Sequence, residues 1–211
     1  AEVHERAWAD LFSEWEFTGA DYLTYVDGRP RYDGVRAFLT SRGVTLPEGD
    51  PTDDPDAATI CGFGNRKNLL FQQIISTEGV RAYPGTLEVV EICAAAGLRQ
   101  AVVSSSRNAR GVLAAAGLDH RFEVVVDGLT AQEHSLPGKP APDMFTHAAA
   151  ALGIPVQRCV VVEDAVSGVL AGAAAGAGYV LGVDRSGDGA TLLAAGANLV
   201  VNDLTQTGSK G

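Results

Sequence analysis

The sequence predicts an α/β protein in which a parallel sheet, covered on both faces by helices, follows a smaller helical domain. Two observations lead there. From Tyr83 onward, short β-branched runs alternate with alanine-rich helical stretches, the pattern of strand–helix–strand units whose strands are buried on both faces. Before Tyr83, apolar residues recur at helical spacing and no stretch reads as a strand. The 211 residues, 46% of them hydrophobic, suffice for one large domain or two smaller ones with separate cores. The change of pattern places a helical domain at residues 1–80 and the α/β domain at 81–211.

In the first domain, Val3, Ala7, Trp8, Leu11, Phe12 and Trp15 follow helical spacing; Val35, Phe38 and Leu39 mark a short helix, and Leu70, Phe71, Ile74 and Ile75 another. Residues 47–56 combine Pro47, Gly49, Pro51 and Pro55 with five acids and read as a surface loop. Pro84-Gly85 is a break, after which a helix over 86–96 stops at Gly97. Strands are expected over 100–104, 123–126, 159–162, 179–183 and 198–201, and helices over 107–116, 142–152, 165–176 and 188–195. Gly168, Gly172 and Gly176, spaced by four, predict a helix packed closely on the sheet. Residues 205–211 are expected to fray.

The bulk numbers exclude several classes. With 16 Lys and Arg against 26 Asp and Glu, the net charge is −10, so nucleic-acid binding by bulk electrostatics is not expected. Cys61, Cys93 and Cys159 form no Cys-x-x-Cys pair and are odd in number, which fits a reduced, cytoplasmic setting. His4, His120, His134 and His147 lack the spacing of a zinc hydrolase. The apolar stretch 160–183 is interrupted by Glu163 and Asp164, which argues against a membrane span. A monomer acting on a small molecule is the expectation.

In parallel sheets, ligands bind at the carboxyl ends of the strands. Ser104, Asp127, Glu163 and Asp184 all fall at such ends. A hydroxyl at Ser104, the lysine of Gly138-Lys139-Pro140-Ala141-Pro142-Asp143, and the pair Glu163-Asp164 could together hold a phosphoryl group and a magnesium ion. Each has a plainer reading. Ser104 alone reads more readily as a helix N-cap. Lys139 alone reads as a solvated loop lysine that contributes little to folding stability. Glu163-Asp164 alone reads equally well as an acidic pair favoured by a helix dipole.

The order of these three features across residues 83–184 resembles motifs two, three and four of the haloacid-dehalogenase-like (HAD) phosphotransferases, and in detail the β-phosphoglucomutase family. The resemblance implies a Rossmann-like core with a small helical cap. It implies that Ser104 and Lys139 stabilise the transferred phosphoryl group and that Glu163 and Asp164 hold Mg²⁺. Ser105, Ser106, Arg107 and Asn108 would grip a second phosphate. In the cap, Arg31 of Gly28-Arg29-Pro30-Arg31 looks like an arginine that holds the distal phosphate, and Lys67 of Asn65-Arg66-Lys67-Asn68 like a further contact. His4 looks like a histidine that touches the acid/base aspartate. For His4, Arg31 and Lys67 a solvated surface position is the alternative. Motif one, with its nucleophilic and acid/base aspartates and the central strand, is absent from the sequence and is expected upstream of Ala1. The implied activity is isomerisation of β-glucose 1-phosphate to glucose 6-phosphate through an aspartyl-phosphate. A sugar-phosphate phosphatase and a non-catalytic binding domain are the alternatives.

Overall fold

The computed structural model describes residues 2–185, 187 and 189–207. The chain forms two compact units, Ala1–Val80 and Arg81–Gly211.

The first unit is helical. Helix α1 (Glu2–Leu11) packs against α4 (Ile60–Glu78), and α3 (Arg31–Ser41) packs on α4 as well. Between α1 and α3 lie a 3₁₀ turn (Ser13–Trp15) and the short helix α2 (Gly19–Asp21), which runs into a π turn (Tyr22–Val26). Sequence periodicity does not show that π segment, because its spacing differs from 3.6 residues per turn. Aromatic rings fill the core: Phe12 lies 4.1 Å from Phe38 and 5.5 Å from Trp8 between ring centroids. Helix α4 starts at Thr59, whose side chain accepts from the Gly62 amide at 2.9 Å, an N-cap that satisfies one orphan donor of the first turn. The acidic loop before it is tied down from α4. Asn65 Nδ2 donates to the carbonyl of Asp53 at 2.9 Å, and Arg66 Nε to that of Pro55 at 2.9 Å.

The second unit opens with α5 (Pro84–Ala95), with proline at its first turn as helix geometry favours. Strands β1 (Ala101–Val103) and β2 (Val124–Val126) are parallel and joined through α6 (Ala109–Ala115). Helix α7 (Gly128–Glu133) follows β2, and α8 (Asp143–Ala151) follows the Lys139 loop. Then β3 (Val160–Glu163), α9 (Val166–Ala174), β4 (Tyr179–Val183), α10 (Gly189–Ala194) and β5 (Leu199–Val201) alternate, and the three strands pair in parallel in the order β3-β4-β5. Among the described residues, β1–β2 and β3–β4–β5 are thus separate sheets, and β1 and β3 each pair along one edge only. Val160 and Val162 of β3 are exposed.

The glycine spacing of α9 has a direct physical reading. A Cβ on Gly172 would come within 2.9 Å of Val161 Cγ1, and one on Gly168 would collide with the Glu163 carboxylate. These glycines let the helix lie against β3 and leave room for its terminal acid. Helix α7 was not expected from the sequence. Its start is set by Asp127, whose Oδ1 accepts from the amides of Leu129 (3.1 Å) and Thr130 (2.9 Å). Leu204–Thr207 form a 3₁₀ turn; the remainder of the segment expected to fray, 208–211, lies outside the described residues. Among the described residues no helix is long and apolar enough to cross a membrane.

Candidate active site

The carboxyl ends of β1 and β3 are bridged by one side chain. Lys139 Nζ donates to the Val103 carbonyl at 3.1 Å, and on its other side it pairs with Glu163 Oε1. The ammonium also lies 4.9 Å from the centre of the Phe145 ring. Lys139 is only 7% exposed, and the side chain of Glu163 only 9%. The solvated-loop reading of Lys139, with its small part in stability, is therefore corrected. A buried ammonium is retained here because a carboxylate, a carbonyl and an aromatic face surround it. Sequence statistics place lysine outside because most lysines find no such partner.

Ser104 sits immediately beyond β1. Its amide donates to Val126 O at 2.9 Å, and its Oγ accepts from the Ser106 amide at 3.2 Å. Ser106 Oγ in turn accepts from the Asn108 amide at 3.1 Å. These two side-chain turns shape residues 104–108 into a bend before α6, whose cap position is Asn108. Ser104 is therefore not the N-cap of that helix, and the plainer reading falls. Serine turns of this kind hold successive amides on one side of a loop.

The two acids after β3 have different surroundings. Glu163 is turned inward to Lys139 and lies against Gly168, whereas Asp164 is exposed. Among the described residues no group of three or more His, Cys, Asp or Glu side chains converges as a metal cage.

In the helical unit the structure brings His4 and Lys67 together and sets Arg31 close enough to act on Lys67 electrostatically. Lys67 Nζ is 2.7 Å from His4 Nδ1. It lies 4.7 Å from the centre of Phe71 and 5.1 Å from that of Trp8, and His4 stacks on Phe71 at 4.2 Å. Burial, with the Arg31 charge as a second cause, lowers the Lys67 pKa to about 7. Burial, then the Lys67 charge, holds the His4 imidazole well below its ordinary range. Arg31 Nη1 donates to Gly64 O at 3.2 Å. The surface reading is wrong for Lys67, which is buried, and neither His4 nor Arg31 is fully exposed. A guanidinium, an amine whose pKa lies near 7 and an imidazole grouped in this way are suited to an anion, whose charge would favour the protonated amine.

Two residues outside the sequence-based set bear on the site. Gly168 makes room for Glu163, and Asp127 is a fully buried carboxylate at the end of β2. The position of Asp127 at a strand end was the available signal.

Residues 2–176 match the model of the haloacid dehalogenase-like hydrolases. The chain belongs to that family. It is 43% identical to a β-phosphoglucomutase of Mycobacterium bovis over 98% of this chain and 85% of that protein. Among solved structures, a β-phosphoglucomutase from Clostridium difficile superposes with a TM-score of 0.79 at 21% identity, covering 97% of this chain and 85% of that one. A HAD family hydrolase from Deinococcus radiodurans with bound phosphate and sodium has a TM-score of 0.68 at 30% identity, over 97% of this chain and 86% of that one. The fold is accordingly the Rossmann-like α/β fold of HAD proteins, and the chain is an enzyme, a phosphomutase or a phosphatase. The reading as a non-catalytic binding domain is set aside.

Proposed function

We propose that this HAD protein isomerises β-glucose 1-phosphate to glucose 6-phosphate through an aspartyl-phosphate formed on an aspartate upstream of Ala1. The observation that carries the reading is Lys139, held between Val103 O and Glu163 where β1 and β3 end. A fixed ammonium in a dry site stabilises charge that develops on a transferred phosphoryl group without reorganising. Among the described residues β1 and β3 each pair along one edge, so the other edge of either suits a strand bearing the nucleophile.

In this mechanism the attacking carboxylate forms a bond to phosphorus as the sugar oxygen leaves. The acid/base aspartate gives that oxygen a proton; a hydroxyl of a bound sugar phosphate then takes the phosphoryl group as its bond to the first aspartate breaks, and passes its own proton back to the acid/base aspartate. Lys139 and the Ser104 hydroxyl stabilise the equatorial oxygens in both steps. In the α/β unit, Ser105, Ser106, Arg107 and Asn108 grip the phosphate that is not being transferred; in the helical unit, Arg31 serves as a ligand of the distal phosphate and Lys67 as a further substrate contact. His4 orients the acid/base aspartate.

Magnesium fits the donor set, because exposed Asp164 offers a hard oxygen ligand beside Glu163, and Mg²⁺ keeps several waters and needs few carboxylates. Asp164 would hold it, while Glu163, engaged by Lys139, would orient its hydration shell. When bound, the ion supplies charge neutralisation at the phosphoryl oxygens. The substrate is a small sugar phosphate, and the setting a cytoplasmic monomer.

The test compares two reactions of the complete protein. Arg31→Ala should lower isomerisation by about 100-fold, as for the loss of a charge-assisted phosphate contact together with orientation. Hydrolysis of acetyl phosphate, which has no second phosphate, should fall far less. Equal loss in both reactions would remove Arg31 from the second-phosphate site. Efficient phosphate release from sugar monophosphates with no isomerisation would make the enzyme a phosphatase.

A further inference from the structure

The bend 104–108 does not stand alone; it leans on the turn that follows β2. The Gly128 amide donates to Ser106 O at 3.1 Å. A Cβ placed on Gly128 would lie 2.8 Å from the Ser105 carbonyl oxygen, 2.8 Å from Arg107 Cγ and 3.0 Å from the Arg107 amide nitrogen. Two of those atoms are backbone, and the third lies near the base of the arginine side chain, so none can swing aside as a flexible tip would. The requirement for glycine here is one of close approach and not of a left-handed backbone.

The turn itself is held from beneath. Asp127 has 0% exposure. Its Oδ1 accepts from the amides of Leu129 and Thr130 and from Thr130 Oγ1 at 3.0 Å. Its Oδ2 makes no hydrogen bond but lies 3.4 Å from Arg110 Nε, and Arg110 Nη2 donates to Val125 O at 2.9 Å. Arg110 belongs to α6, the helix that the bend leads into. A buried carboxylate thus ties together the end of β2, the start of α7 and the first turn of α6, with Gly128 as the contact point.

We infer that Asp127 and Gly128 are positioning residues: they seat the Ser105–Asn108 bend at the distance and angle at which it grips the phosphate that is not being transferred. The inference rests on the proposed function, because it takes the bend to be a phosphate clamp. It adds that the second strand end, and not the bend alone, sets how tightly a two-phosphate ligand is held. Clamp geometry then affects ligands with a second phosphate and leaves the chemistry at Lys139 nearly untouched, since Lys139 contacts Val103 and Glu163 and not this turn.

Gly128→Ala in the complete protein tests this. Two quantities are read: kcat/KM for acetyl phosphate hydrolysis, and the inhibition constant of a hexose 1,6-bisphosphate against that hydrolysis. The second does not require isomerase activity, so the inference can be judged even if the enzyme proves to be a phosphatase. The expected result is at least ~10-fold weaker bisphosphate inhibition, with acetyl phosphate hydrolysis within ~3-fold of wild type. Arg107→Ala should weaken inhibition similarly, and adding Gly128→Ala to it should cost less than ~3-fold more, because the two act through one contact. A mere fold defect would lower acetyl phosphate hydrolysis along with any weakening of inhibition, and would be additive with Arg107→Ala. Either of those outcomes, or unchanged inhibition in Gly128→Ala, overturns the inference. Asp127→Asn, which keeps the shape but removes the charge facing Arg110, should weaken inhibition in the same selective way; a loss confined to acetyl phosphate hydrolysis would contradict it.

Discussion

Replacing Lys139 by methionine should cost stability as well as turnover. The side chain is retained in volume, so little packing is lost, but Glu163 keeps its negative charge at 9% exposure with the ammonium gone. Removing one partner of a buried ion pair typically costs about 3–5 kcal/mol, because the remaining charge is desolvated and unpaired. The Val103 carbonyl also loses its donor. For a chain of this size roughly 2–4 °C of melting temperature accompanies each kcal/mol, which gives a drop of roughly 6–20 °C for the α/β unit. Thermal unfolding followed by circular dichroism measures it. Tryptophan fluorescence reports the other unit separately, since both tryptophans, Trp8 and Trp15, lie in the first 80 residues. The double variant Lys139→Met with Glu163→Gln should recover at least half of the loss, because no buried charge is left without a partner, while turnover stays abolished. An unchanged melting temperature in Lys139→Met would refute the buried-pair account, and so would a double variant less stable than the single one.

Other outcomes follow from the same geometry. The Lys67 pKa falls from 10.5 to about 7 on folding, so between those values the unfolded chain binds the proton that the folded one does not. Stability of the helical unit should therefore rise with pH across that window, by at most about 1.4 kcal/mol per pH unit, and Lys67→Met should flatten the rise in tryptophan-monitored melts; an identical pH dependence in the variant would contradict the burial of an uncharged amine. Gly172→Ala, whose Cβ would press on Val161 at 2.9 Å, should destabilise the α/β unit by about 1–3 kcal/mol, and Val161→Ala should relieve part of that in a double-variant melt; simple addition of the two losses would show that the contact is not the cause.

Much of the fold was legible because local signals agreed with the tertiary outcome. The β-branched runs became β1 to β5 within a residue or two at each end, since β-branched side chains favour the extended backbone; burial on both faces, which the apolar runs also implied, does not hold for β3, where Val160 and Val162 are exposed. The Gly168–Gly172 spacing foretold the close approach of α9 to β3 for a steric reason that sequence alone can carry. The π turn at Tyr22–Val26 and helix α7 were not legible. The first departs from the α-helical repeat, and the second is fixed by one buried carboxylate, Asp127, and not by an apolar face. The site followed the same division. The strand ends gave Ser104 and Glu163, whose places depend on chain direction alone. The burial of Lys139 depends on Glu163, 24 residues away, and that of Lys67 on His4, 63 residues away. Residue-type statistics put both lysines outside, because they average over lysines without such partners.

The most direct measurement of the central claim is the fate of phosphorus when the complete protein, with Mg²⁺ and a catalytic amount of hexose 1,6-bisphosphate, is given β-glucose 1-phosphate and followed by ³¹P NMR. The account predicts that the 1-phosphate signal is replaced by that of glucose 6-phosphate with little inorganic phosphate, and that conversion stops on chelation of the metal or in Asp164→Ala. Stoichiometric appearance of inorganic phosphate without glucose 6-phosphate would contradict the mutase reading, and conversion that continues at an undiminished rate in Asp164→Ala would contradict the assignment of the metal site.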